Sequence, residues 1–171
     1  RKETSRTMTT LYLVRHCESL GNHENIFQGQ LDLDISATGE KQLALLALRF
    51  RNIPIDAVYS SPLKRAYKTA EAVNLYHSLP IIKLPELMEV DVGALSGMKL
   101  DKAFADYPVF AEKWQNSPQN CIFPEGETTA EVYDRAKKAL ARVKADCMGK
   151  TAVIPSHGFL LRCRACEILE H

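Results

Sequence analysis

The 171-residue chain predicts an α/β fold of three layers, a mainly parallel sheet with helices on both faces. Three observations carry that prediction. Four short apolar runs rich in Val, Ile and Tyr are separated by long stretches with helical spacing, an alternation that favours parallel strands joined by crossover helices. Three of those runs stop on polar groups: Arg15-His16, Ser60-Ser61 and Ser156-His157-Gly158. In a parallel sheet such ends share one edge, the edge where α/β proteins hold ligands.

Taken in order, the first strand is Leu11 to Val14, ending on Arg15 and His16. Gly21 to Asp34 is polar and glycine-bearing and reads as a loop able to close over a site. Gln42 to Phe50 repeats Leu43, Leu46, Ala47 and Phe50 at helical spacing until Pro54 ends it. Ile55 to Tyr59 is the second strand. Ser60-Ser61-Pro62 then predicts a helix start, because serine caps free amides and proline tolerates the first turn. That helix reaches about Tyr76, with Ala66, Thr69, Ala70 and Val73 on one face. Pro80 to Leu84 is a third strand, and Pro85 to Gly97 an acidic loop. Lys99 to Tyr107 predicts a short helix broken by Pro108. Val109 to Pro124 has no clear period, with Trp114 the anchor of a subsidiary cluster. Thr128 and Glu131 form a capping box for a helix reaching Cys147. Thr151 to Pro155 is the fourth strand, leading through Ser156-His157-Gly158 into a final helix.

Composition narrows the partners. Lys and Arg number 22 against 21 Asp and Glu, a net charge of +1, so no nucleic-acid or membrane field is implied. No apolar run approaches the ~18 residues a membrane span requires. Five cysteines without a framework spacing point to reduced thiols and a cytoplasmic setting. Cys163 and Cys166 read as two ordinary helix thiols. The length predicts one domain over residues 8–168. Residues 1–7 and 169–171 read as peripheral segments, the latter like the remnant of an affinity tag.

The shared edge would collect His16, His157, Arg15 and Arg65. Ser156 and the amides of Gly158 and Phe159 open a helix, whose free N–H groups and dipole favour an anion. Two histidines, two arginines and a helix N-terminus describe a tetrahedral dianion site. Like-charge proximity there would keep one histidine neutral and nucleophilic.

The ordered set Leu13-Val14-Arg15-His16, Glu18-Ser19, Asn22, Phe27-Gln28-Gly29, Tyr59-Ser60-Ser61-Pro62-Leu63-Lys64-Arg65, Leu87-Met88-Glu89, Phe123-Pro124-Glu125-Gly126-Glu127 and Ser156-His157-Gly158 with Arg162 resembles the histidine phosphatase (phosphoglycerate mutase-like) superfamily over nearly the whole chain. The resemblance implies that fold, with His16 as the nucleophile that becomes a phosphohistidine. It implies Arg15, Arg65 and His157 as phosphoryl ligands assisted by Asn22, and Glu89 as the acid and later the base. Gln28 and Gly29 either touch substrate or turn the chain. No metal or cofactor is implied, since arginines supply the charge. Glu89 is followed by Val90-Asp91-Val92-Gly93, which is similar to the phosphatase branch. The expected activity is therefore hydrolysis of a small phosphomonoester. Mutase-type phosphoryl transfer and a non-catalytic phospho-ligand-binding domain are the alternatives, and a homodimer is an admissible assembly.

Two departures accompany the resemblance. The family usually has Gly at position 17, so Cys17 is expected to be costly if that position needs an unusual backbone angle or a close approach to phosphate. Beside two cations it is also expected to be an oxidisable thiolate. The family pattern continues past the last helix into a further strand, and these residues stop before it.

Overall fold

The computed structural model describes the backbone of residues 8–169 and side chains as far as Cys163. The peripheral stretches 1–7 and 170–171 lie outside the described residues, as does the side chain of Cys166, and Leu169 falls within the last helix.

Four strands form one sheet: β1 (Thr10–Arg15), β2 (Ala57–Ser60), β3 (Ile81–Lys83) and β4 (Thr151–Ser156). Their order is β1-β4-β2-β3, and every pairing is parallel. The helices are α1 (Leu20–His23), α2 (Ala37–Phe50), α3 (Lys64–Asn74), α4 (Leu100–Asp106), α5 (Pro108–Asn116), α6 (Thr129–Asp146) and α7 (Gly158–Leu169).

The two-residue period of a strand sends alternate side chains to opposite faces. Val14, Val58 and Val153 pack with Phe50, Ala70 and Val73 of α2 and α3. Leu13, Tyr59, Ala152 and Ile154 face the other way, among Val132, Ala136, Leu140 and Leu160 of α6 and α7. The sheet is thus covered on both sides, and burying a single Val or Ile contributes roughly 1.5–3 kcal/mol.

The strand ends are stitched together at their carboxyl edge. The His16 amide donates to Ser156 O (2.9 Å), and the Ser61 amide donates to Pro155 O (3.1 Å). His16, Ser61 and His157 therefore stand side by side, as the polar strand ends predict.

Local differences have local causes. The stretch after Ser19 opens with a helical turn, α1, because the Ser19 hydroxyl accepts from the Asn22 amide while Asn22 Oδ1 accepts from the Ser19 amide. Helix α3 begins at Lys64, later than Ser61-Pro62 predicts. The Ser61 hydroxyl accepts from the Leu63 amide, just ahead of the helix, and Asp32 accepts the Lys64 amide at 2.7 Å. Pro108 starts α5 at a position where its missing N–H costs nothing. At α6, Thr128 accepts from the Glu131 amide, while the Glu131 carboxylate accepts from the Thr128 hydroxyl rather than its amide. Thr128 is bridged to Ile122 instead.

Candidate active site

His16 follows the last residue of β1 and is 9% exposed. Its Nδ1 lies 2.5 Å from Cys17 O. A carbonyl only accepts, so Nδ1 carries the ring hydrogen and Nε2 keeps its lone pair. Burial is the main force that pushes the His16 pKa down to about 4, with Arg65 and Arg15 adding to it and the Cys17 carbonyl opposing. Like charge is therefore the lesser cause of its neutrality.

His157 is wholly buried beside it, with ring centroids 5.1 Å apart. Ser61 Oγ accepts from the Leu63 amide and sits 2.8 Å from His157 Nε2. The serine proton is thus available to Nε2, leaving Nδ1 as donor. Burial first, then Arg65 and His16, hold the His157 pKa well below the ordinary imidazole range.

Arg65 comes from the first turn of α3 and is 1% exposed. Its Nη1 donates to Leu31 O (2.7 Å) and its Nη2 to Gly29 O (2.6 Å). Burial lowers its pKa against the attraction of Glu89 and Asp32, but a guanidinium stays charged in proteins. Two buried atoms of this cluster, Arg65 Nε and His157 Nδ1, have no hydrogen-bond partner among the described residues. An oxyanion matches both.

Glu89 reaches the same crevice from the loop after β3. One carboxyl oxygen accepts from the amides of Val90 (2.9 Å) and Leu160 (3.2 Å), the other from the Phe159 amide (3.2 Å). Burial outweighs these donors and Arg65, so the pKa is raised above the usual carboxylate range. Gly158 lines the cavity at the N-terminus of α7, but the Phe159 amide, predicted to face an anionic ligand, instead joins that of Leu160 in holding the chain's own carboxylate. Ser156 likewise turns away and donates to Leu87 O (2.7 Å).

A cavity of about 240 Å³ joins these groups, lined among others by Arg15, His16, Asn22, Arg65, Glu89 and Arg162. Arg15 is exposed, and no carboxylate among the described residues pairs with Arg15 or Arg162. Gly158 fits closely against Arg15, whose Nε lies 3.4 Å from where a Cβ would stand. Asn22 caps α1 through Oδ1 and also lines the cavity, so it both shapes the loop and faces the site. Gln28 does both as well: its Oε1 accepts from Ser19 Oγ (2.7 Å). Gly29 is a turn residue (φ 51°) whose Cβ would meet Val90 O at 2.8 Å, and its carbonyl anchors Arg65. The phenyl ring of Phe159 forms wall and stacks on Trp114 at 5.7 Å. Trp114 thus belongs to the pocket and the main core rather than to a subsidiary cluster.

Cys17 departs from expectation. Its backbone is not left-handed, its side chain is buried, and its Sγ lies 4.0 Å from Arg65 O. Burial pushes its pKa up, which favours a neutral thiol rather than an oxidisable thiolate.

The roles of three residues, one of them already placed at the predicted sheet edge, escape sequence reasoning. Ser61 orients His157, Arg162 lines the cavity, and Arg135 of α6 holds the Glu89 loop. Arg162 and Ser61 stand within the motif stretches quoted above. Arg135 has no local signal beyond lying two helical turns after Glu127.

The sequence profile of the histidine phosphatase superfamily (branch 1) matches residues 11–171. The chain is 38% identical to phosphoserine phosphatase 1 of Hydrogenobacter thermophilus over 162 residues, which covers 95% of this chain and 77% of that protein. It is 32% identical to the probable phosphoglycerate mutase GpmB of Escherichia fergusonii, covering 95% and 75%. Among solved structures, Bacillus stearothermophilus YhfR superposes with a TM-score of 0.90 at 28% identity, covering 95% of this chain and 81% of that one.

Proposed function

Since the chain belongs to the histidine phosphatase superfamily, branch 1, we propose that it is a single-domain phosphomonoester hydrolase working through a phosphohistidine at His16 on a small phosphorylated metabolite. The observation that carries this reading is the His16 ring. The Cys17 carbonyl takes the Nδ1 hydrogen, so the Nε2 lone pair is present in a cavity lined by Arg15, Arg65 and Glu89.

In the first half-reaction Nε2 attacks phosphorus, the bond to the leaving oxygen breaks, and the Glu89 carboxyl gives that oxygen its proton. The raised Glu89 pKa supports the protonated form this step needs. In the second, Glu89 takes a proton from water, the hydroxide attacks phosphorus, and the P–N bond breaks to release orthophosphate. Arg15, Arg65 and the Nδ1 donor of His157 stabilise the charge spread over the transferring oxygens, with Asn22 beside them.

Hydrolysis is favoured over mutase transfer by the wall next to Glu89. Val90, Val92, Phe27, Trp114, Phe123 and Phe159 make much of the cavity lining, and beyond Arg15 and Arg65 it carries one further cation, Arg162, which supports a substrate with a single phosphate. Lys99 and Lys102 are engaged on the outside, with Glu24 and Asp106.

The test is phosphate release from para-nitrophenyl phosphate and from phosphoglycerates, with acid quench to detect acid-labile, base-stable phosphate on the protein. Release together with label lost in His16→Asn is expected. Isomerised phosphoglycerate without released phosphate would establish a mutase, and ligand binding with neither label nor product would establish a binding domain.

A further inference from the structure

Beyond a single 3-10 turn at Pro85–Leu87 the segment that carries Glu89 is irregular, yet four successive carbonyls in it are each bound by a side chain. Arg135 Nη1 donates to Glu86 O (2.9 Å) and Met88 O (2.6 Å), and Nη2 donates to Glu89 O (2.9 Å). Ser156 Oγ takes Leu87 O (2.7 Å), and Gln30 Nε2 adds a second bond to Glu89 O (3.2 Å). The rest of the Arg135 guanidinium goes to Glu127, Nε to Oε1 (2.8 Å) and Nη2 to Oε2 (2.9 Å). All five N–H donors are used.

Glu127 carries the grip past Glu89. Its Oε2 accepts from the Asp91 amide (2.8 Å), and its own amide donates to Asp91 O (2.9 Å). Gly126 allows this approach, because a Cβ there would stand 2.2 Å from Asp91 O. Glu89 is therefore fixed at its own carbonyl and on both flanks. Both partners are largely buried, and neither lines the cavity.

We propose that Arg135, locked by Glu127, is the positioning residue for Glu89, holding its carboxyl where it can protonate the leaving oxygen. The inference depends on the hydrolase reading above. Lysine would keep the charge at position 135 but has three donors on one atom, and no planar fork to span carbonyls 86, 88 and 89.

A role exercised through a general acid has a kinetic mark. Departure of an alkoxide needs a proton, whereas para-nitrophenolate leaves as a stable anion. The experiment measures kcat/KM for glycerol phosphate and para-nitrophenyl phosphate with the parent, Arg135→Lys, Arg135→Gln, Glu127→Gln and, as reference, Glu89→Gln. General acid catalysis contributes on the order of a hundredfold or more, so both Arg135 variants should lose roughly that factor on the alkyl ester. They should spare the aryl ester, lowering the alkyl-to-aryl ratio as Glu89→Gln does. Glu127→Gln should shift the ratio the same way by less. Both rates come from one preparation, so partial loss of folded protein cancels, and the Lys variant serves if the Gln variant fails to fold. Equal loss on both esters, with the ratio unchanged, overturns the positioning role while leaving the hydrolase reading intact. A parent that releases phosphate from neither ester overturns the hydrolase reading itself.

Discussion

On the proposed mechanism, His16 must be neutral to attack and yet stand among the cations proposed to hold a phosphoryl group. The chain meets both conditions by burying the ring and giving its Nδ1 hydrogen to the Cys17 carbonyl. The consequence is visible in pH. A nuclear magnetic resonance titration of the imidazole nitrogens should place His16 near 4, below its ordinary 6.5. Between those values the unfolded chain binds a proton that the folded chain refuses. Stability should therefore fall as pH drops from about 6.5 towards 4, the His16 contribution amounting to roughly 3 kcal/mol. Denaturant midpoints across that range, compared with His16→Asn, measure it. A midpoint that does not change with pH, or an imidazole titrating at its ordinary value, would contradict this account of the nucleophile.

Helices and loops divide the work of the site by what each can hold firmly. Helix α3 delivers Arg65, the turn at Gly29 to Leu31 fixes its guanidinium, and the N-terminus of α7 fixes the Glu89 carboxyl. Helix α5 closes the pocket through Trp114, whose ring meets Phe27, Phe110, Phe123 and Phe159 at centroid distances of 5.7–6.1 Å. Trp114→Ala removes the stack on Phe159 and three further ring contacts and should cost roughly 3 kcal/mol. Chemical denaturation would show it as a lowered midpoint, and KM for an aryl ester should rise with the lost wall. A variant with the parent midpoint would show that α5 does not brace the pocket.

At the scale of the molecule, the cluster exists only when the sheet edge, the loop after α1, the Glu89 loop and α7 are assembled together. A ligand that bridges them must then stabilise the whole fold. Orthovanadate, which takes the five-coordinate geometry of phosphoryl transfer, should raise stability by about 2.7 kcal/mol at a hundredfold excess over its Kd. Thermal denaturation with and without vanadate reads the effect, and His16→Asn should lose most of it by removing the apical nitrogen. Equal stabilisation of parent and variant would locate the ion elsewhere. No helix among the described residues is long and apolar enough to cross a membrane.

The parallel α/β architecture and the meeting of Arg15, His16, Ser61 and His157 at one sheet edge were legible in the residues themselves. Strand alternation, helix spacing and polar strand ends are set by neighbours a few positions apart, and the parallel register carries them to a common edge. The tertiary structure decided where the long side chains and free amides found partners. It sent the Phe159 amide to Glu89 across 70 residues, Arg65 to Leu31 across 34, and Arg135 to Glu89 across 46. It also turned Cys17 into a buried neutral thiol. Such pairings depend on how loops close over the sheet, so no local pattern announces them. The candidate residues could be read in the chain, but the hydrogen-bond partners that hold each one in place could not.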